Sequence, residues 1–161
     1  MDQNSELRNH LVKVLTWNDA HVDFDTAVHG VPPSVQGVRP QSMPYSPWEL
    51  LEHLRLAQRD ILDFCRDPAY SAPDFPAGYW PGVEAPPTPE AWDQSVSEFR
   101  ADRKALCDFI SDPSLDLFSQ IPHGDGQTYL REALLAADHA AYHVGELVAV
   151  RRILGVWKTQ K

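Results

Sequence analysis

Two histidines, His139 and His143, lie four residues apart in the segment LLAADHAAYHVGELVAVRR, residues 134–152. The segment has the periodicity of an amphipathic helix, so the two side chains project one above the other, with Cβ atoms about 5–6 Å apart. Both fall within the apolar stripe of that helix, which comprises Leu135, Leu147, Val150 and Leu154. Buried imidazoles without partners cost about 1–3 kcal/mol each, and one divalent metal would satisfy both rings. The alternative is a pair of hydrogen-bonded core or surface histidines.

A third histidine, His53, borders the apolar stripe of another helical segment, ELLEHLRLAQRD. It follows Leu50 by three residues and precedes Ala57 by four. If the two apolar stripes face each other, His53 approaches the His139–His143 pair. Three nitrogen ligands with water in the remaining position are typical of an open, catalytic metal site.

The residues around the histidines restrict the kind of metal site. A zincin helix carries glutamate directly after its first histidine as general base, and here that residue is Ala140. A di-iron bundle carries Glu-x-x-His motifs, and neither Glu49 nor Glu52 lies three residues before His53. The pattern favours one mononuclear metal that polarises a substrate or activates a bound water or thiol.

Four further residues are candidates for lining the site. His21 and His123 lie in loops that flank helices, where binding residues are often found; the alternative is that they stabilise turns. Trp80 lies in a long connector and could cap a pocket. Tyr142 points about 100° away from its neighbour His143 on a helix of 3.6 residues per turn, so we expect it to support the site rather than ligate.

Four long helical patterns position these residues, and no segment alternates polar and apolar residues over a useful length. The helices begin near Ser5, Ser46, Thr88 and Thr128, and the last ends at Gly155. The second start is the best marked, because a serine cap is followed by proline and completed by glutamate in a capping box. A short helical turn, DFDTAV, follows the first helix with Asp23 as its cap. The chain is predicted to be all-α, with a single domain over residues 1–161.

The connector between the second and third helices, DPAYSAPDFPAGYWPGVEAPP, is rich in proline and aromatic residues. In an extended form it spans roughly 60 Å at about 3.1 Å per residue. A helix of four or five turns measures only about 20–30 Å. The connector can therefore cross the length of a bundle and leave the second and third helices parallel.

Composition excludes several classes of protein. Hydrophobic residues make up 43% and charged residues 23% of the chain, which is typical of a globular protein. A formal net charge of −9 argues against nucleic acid and anionic membranes as partners. The opening MDQNSELRNH lacks the pattern of a signal peptide, and no apolar run approaches the roughly 20 residues of a membrane span. We expect a cytoplasmic protein.

The chain resembles the DinB-like (damage-inducible) superfamily over nearly its whole length, in the segments SPWELLEHLRLAQRDILDF, GYWP and HGDGQTYLREALLAADHAAYHVGELVAVRR. The resemblance implies a four-helix bundle of up-down-down-up order, which agrees with a proline-rich crossover between the second and third helices. It also implies that a histidine on the second helix and an HxxxH motif on the fourth hold one divalent metal. These positions match His53, His139 and His143. The metal differs among members, and nickel, zinc, iron and manganese all stay open.

The resemblance further implies a homodimer and, as in some relatives, chemistry that depends on a low-molecular-weight thiol. The leading hypothesis is a metal-dependent enzyme that acts on a small molecule, either as a thiol-dependent transferase or as a hydrolase. No residue stands out as a general base. The alternative is a non-catalytic metal-binding or stress-response protein whose metal joins the second helix to the fourth.

Overall fold

The computed structural model describes residues 2–16 and 19–157, and helices are the main regular structure within these ranges. The α-helices are α1 (Gln3–Thr16), α2 (Phe24–Val28), α3 (Pro47–Arg66), α4 (Ala91–Ser111) and α5 (Tyr129–Ile153). Two short 3-10 helices, Pro33–Val35 and Ala77–Tyr79, lie in the connecting segments. The described residues form no strand, only an isolated bridge between Gln120 and Thr128. The all-α prediction is confirmed, and no described helix has the length and hydropathy needed to cross a membrane.

Local capping explains where α3 begins. The Ser46 hydroxyl accepts the Glu49 N–H at 3.2 Å, and the Glu49 carboxylate accepts the Ser46 N–H at 2.8 Å. This is the predicted capping box. The start of α4 differs from the prediction, because the Thr88 carbonyl accepts the Ala91 N–H in a turn that precedes the helix. The helix itself begins at Ala91, without a side-chain cap.

The first helix, predicted to begin near Ser5, begins at Gln3. Three other predicted helix ends are confirmed by their hydrogen bonds and backbone angles. Asp23 caps α2 by accepting the Thr26 N–H at 2.8 Å. Thr128 caps α5 by accepting the Arg131 N–H at 3.2 Å. Gly155 follows the end of α5 with a φ of 72°, a conformation that glycine adopts without steric cost.

Two apolar clusters form the core, and each joins the same three long helices. The first contains residues from α2, from the first halves of α3 and α4, and from the second half of α5; its largest members include Trp48, Leu50, Phe99 and Leu147. The second contains residues from α1, from the second halves of α3 and α4, and from the first half of α5; its members include Leu11, Leu62, Leu106 and Ala136. The starts of α3 and α4 therefore lie together with the end of α5.

A buried arginine fixes the start of α1. The guanidinium of Arg8 donates to the carbonyls of Ile110, at 2.6 Å, and Leu115, just beyond the end of α4. The Ile110 carbonyl belongs to the last turn of α4, whose carbonyls have no intrahelical partners. The start of α1 is thus held at the end of α4.

Candidate metal centre

Three histidine side chains meet between α3 and α5. His53 extends from α3, and its Nε2 lies 3.1 Å from Nε2 of His143 on α5. His139, one turn before His143, places its own Nε2 3.0 Å from that of His53. Each residue offers a ring nitrogen, and the three nitrogens lie within 4.8 Å of one another. The structure thus brings together the three histidines that the sequence pattern selected.

Hydrogen bonds on the far side of two rings fix their tautomers. Nδ1 of His53 lies 2.7 Å from the Tyr79 carbonyl oxygen, and Nδ1 of His143 lies 2.7 Å from the Glu146 carboxylate. A carbonyl and a carboxylate only accept hydrogen bonds, so each Nδ1 carries the proton and donates. The lone pair of each neutral ring is therefore on Nε2. Two lone pairs that face each other across 3.1 Å cannot form a hydrogen bond.

The donor set fits one divalent metal ion. Two donor atoms that each lie about 2.0–2.1 Å from a common ion are separated by about 3 Å, and the Nε2 contacts of His53 measure 3.0 and 3.1 Å. Ligating histidines commonly donate their other N–H to a carboxylate or a backbone carbonyl. Glu146 and Tyr79 supply these acceptors for two of the three rings.

The electrostatic environment keeps the imidazoles uncharged. Burial, together with repulsion from His143 and His53, lowers the pKa of His139 to about 4. Burial and repulsion from His53 lower the pKa of His143 to about 4 as well. Burial also lowers the pKa of His53, although the Tyr79 carbonyl and the Glu146 charge oppose the shift. Neutral imidazole is the form that binds a metal.

The connector supplies a wall of the site. The indole ring of Trp80 stacks on His53 with 3.9 Å between ring centroids and 2° between planes. Tyr45 stacks on Trp80 in turn, at 4.1 Å. Trp80 and the three histidines line a pocket of about 460 Å³, whose other walls include Ile61 and Leu135. A small molecule could reach the histidines through this pocket.

The comparisons with known proteins identify the family. A sequence model of the DinB superfamily matches residues 16–147, a range that includes His53, His139 and His143. The chain belongs to the DinB superfamily. No curated protein and no solved structure matches it.

Of the four lining candidates, Trp80 lies at the pocket of the DinB-superfamily chain and the other three do not line it. His21 is exposed and lines a smaller cavity beside another face of α5. His123 hydrogen-bonds the carbonyl of Phe64 at 2.8 Å, so its loop packs on the end of α3. Tyr142 is 64% exposed and lies outside the pocket. Its ring packs edge-on against that of His143, with 4.8 Å between the ring centroids.

Three residues of the DinB-superfamily site were missed by the sequence interpretation. Glu146 lies three residues after His143, which is within side-chain reach on a helix, so its spacing was an available signal. Asp60 lies seven residues after His53 and lines the same pocket. Tyr79 contacts His53 through a backbone carbonyl, which leaves no trace in the sequence pattern.

Proposed function

We propose that this protein is a metal-dependent enzyme that acts on a small molecule, with one divalent metal held by His53, His139 and His143. The convergence of Nε2 lone pairs, fixed by the donation from Nδ1 on the opposite side of two rings, carries the proposal. When bound, such a metal acts as a Lewis acid and lowers the pKa of a coordinated water or thiol. Membership of the DinB superfamily supports this function. Nickel, zinc, iron and manganese are the candidate metals.

The surrounding residues orient the histidines and shape access to them. The Tyr79 carbonyl and the Glu146 carboxylate hold the His53 and His143 rings with Nε2 inward. Trp80 covers one face of His53 and excludes water from it. Catalytic sites keep a position open, whereas structural sites are closed by protein ligands. The adjoining pocket therefore favours a thiol-dependent transferase or a hydrolase over the alternative, a non-catalytic protein with a structural metal.

We also propose the up-down-down-up order for the four long helices, within a single domain. Two observations support it. The first halves of α3 and α4 share one core cluster with the second half of α5, as expected if α3 and α4 run parallel and α5 runs opposite. Arg8, near the start of α1, bonds the end of α4, as expected if α1 runs opposite to α4. The connector between α3 and α4 would then be the crossover.

For the assembly, we propose a cytoplasmic homodimer without nucleic-acid or membrane partners. The family resemblance supports the dimer, and the net charge of −9 argues against polyanionic partners. Light scattering after size exclusion should give twice the mass of the 18.2 kDa chain. A mass of one chain at micromolar concentration would contradict the dimer.

Metal analysis of protein purified without an affinity tag tests the function. We expect about one equivalent of divalent metal per chain, and we expect His143→Ala to lose it. His29→Ala is the matched control, because His29 is an exposed histidine that lies outside the site. Less than about a tenth of an equivalent in the unsubstituted protein after supplementation would contradict the proposal.

A second experiment separates an enzyme from a structural metal protein. The metal-loaded protein is screened for turnover and for thiol binding against low-molecular-weight thiols and electrophiles. Turnover that disappears in His143→Ala, while circular dichroism still shows a folded helical protein, supports the enzyme. Unfolding of His143→Ala, with neither turnover nor thiol binding by the unsubstituted protein, supports the structural metal.

A further inference from the structure

The pocket beside the histidines has a second polar end. Asp60 lines it together with His53, and both residues lie on α3 with Ala57 between them. Residues spaced by three, four and seven positions share one face of a helix. At 1.5 Å per residue, the seven positions from His53 to Asp60 correspond to about 10.5 Å along the axis. The pocket therefore runs from the histidine cluster to a carboxylate.

Two phenols hold the Asp60 carboxylate in place. The Tyr70 hydroxyl donates to one oxygen at 2.5 Å, and the Tyr79 hydroxyl donates to the other at 3.0 Å. Burial and the nearby carboxylate raise the pKa of both phenols, which keeps them protonated as donors. Each carboxylate oxygen can accept more than one hydrogen bond. Asp60 is therefore oriented and still has acceptor capacity for a ligand.

Within the described part of the chain, no lysine or arginine lies within 4.0 Å of the Asp60 carboxylate. Its neighbours on α3 are engaged elsewhere, since Arg59 pairs with Asp102 and Arg66 pairs with Asp63. Apart from Asp60 and the histidines, the lining consists of apolar and aromatic side chains. A pocket with one uncompensated carboxylate repels anions and attracts cations.

The aromatic side chains at this end also suit a cation. The rings of Phe75 and Tyr79 line the pocket with their centroids 6.2 Å apart, and Phe75 is 87% exposed at the rim. The face of an aromatic ring attracts ammonium groups, and aromatic cages bind them in many proteins. Carboxylate and ring faces together favour an organic cation over a neutral group.

We infer that the pocket selects small molecules that carry a positively charged group, such as a primary ammonium, which binds at Asp60 while the other end of the molecule reaches the histidine cluster. The inference rests on the proposed function, because it names the class of substrate or thiol that the same site accepts. It also predicts that anionic thiols are poor ligands. Asp60 is thus a specificity-determining residue, distinct from the residues that hold the metal.

A charge series on the Zn²⁺-loaded protein tests the inference. The probes are 6-aminohexane-1-thiol, 6-mercaptohexan-1-ol and 6-mercaptohexanoate, which share a chain length and differ in the charge of the far end. Isothermal titration calorimetry should show the ammonium probe binding about tenfold more tightly than the hydroxyl probe, as expected of one hydrogen bond to a charged group. The carboxylate probe should bind more weakly than both.

Two variants of α3 separate a local contact from the general charge of the protein. Asp60→Asn keeps an oxygen acceptor for a tyrosine but removes the charge, and it should bring the three probes within about threefold of one another. Asp63→Asn removes a charge from the same helix outside the pocket, and it should leave the order of affinities unchanged. Metal content, measured on each sample, should stay equal.

The outcomes keep this inference apart from the proposed function. Equal affinities for the three probes would overturn the inferred charge selectivity, as would no binding of the ammonium probe at millimolar concentration. If the same protein carries a full equivalent of metal, the proposed metal site is unaffected by that result. If the protein binds no metal, the proposed function fails. The affinities of the metal-free protein for hexylammonium and for hexanoate then test the charge selectivity. Preference for hexylammonium supports the inference, and equal or no binding overturns it.

Discussion

Glu146 holds the His143 ring with Nε2 turned toward His53. We predict that loss of Glu146 weakens metal binding in a protein that still folds. Its carboxylate accepts the His143 Nδ1–H at 2.7 Å, which keeps Nε2 turned toward His53. Glu146→Ala removes this acceptor, so the ring is free to rotate or to change tautomer. Glu146→Gln retains an oxygen acceptor at the same position but loses the negative charge.

The expected size of the effect follows from the kind of contact that is lost. Removal of a carboxylate partner of a ligating histidine typically weakens metal binding 10- to 100-fold, which corresponds to about 1.4–2.7 kcal/mol. We expect Glu146→Ala near the upper limit, because a charge-assisted bond disappears, and Glu146→Gln near tenfold. The folding free energy should fall by no more than about 2 kcal/mol. The unpaired His143 Nδ1–H is destabilising, but burial raises the pKa of Glu146, and removal of Glu146 relieves the desolvation penalty that this shift reflects.

Competition with a chromophoric chelator at pH 7.5 measures the Zn²⁺ affinity of each variant, and circular dichroism checks that the helices persist. Glu90→Gln is the matched control, because Glu90 is exposed at the start of α4 and caps nothing with its side chain. Affinities of both Glu146 variants within twofold of the unsubstituted protein would refute the reasoning. Loss of metal that occurs only together with loss of helicity would assign Glu146 a structural role instead.

Three further predictions concern groups outside the metal centre. Cys65 should not react with Ellman's reagent until the protein unfolds, because burial raises its pKa to about 12; a thiol titration with and without denaturant checks this. Ser46→Ala should cost about 1–2 kcal/mol in urea unfolding, because the α3 capping box is lost. Burial alone would raise the pKa of Glu49, but hydrogen bonds from Arg39 and Ser46 lower this pKa below its ordinary value of 4.5. The charged Glu49 carboxylate therefore stabilises the folded protein above pH 4.5, and this stabilisation is lost as the pH falls through the lowered pKa. Glu49→Gln should destabilise the protein at pH 7 and have a smaller effect near pH 3, as measured by urea unfolding at both pH values.

Helix positions could be predicted because their determinants are local. The capping box of Ser46 and Glu49, and the cap at Thr128, involve residues three positions apart, and the structure has all of their hydrogen bonds. The apolar periodicity of the sequence also predicted which face of each long helix packs in the core. The third long helix was predicted to begin at Thr88, and α4 begins at Ala91. Turns and helices begin with the same residue types, and only the backbone path distinguishes them.

The convergence of the three histidines was also accessible to sequence reasoning, for a related reason. Each lies within or beside an apolar stripe, so packing of two stripes brings His53 near His139 and His143. The positions of His21 and His123 could not be predicted from apolar stripes. Both are in loops, and a loop histidine can bond any nearby carbonyl, as His123 bonds that of Phe64.

The path of the connector is the part of the site that periodicity does not encode. It contacts His53 twice, through the Tyr79 carbonyl on Nδ1 and through the Trp80 ring on the imidazole face. Tyr79 also donates its hydroxyl to Asp60, so one connector residue contacts both polar ends of the pocket. The long helices α3 and α5 pack through the apolar residues of the core clusters, independently of these connector contacts. The helices therefore bring the three Nε2 atoms together, and the connector shapes the pocket through which a small molecule would reach them.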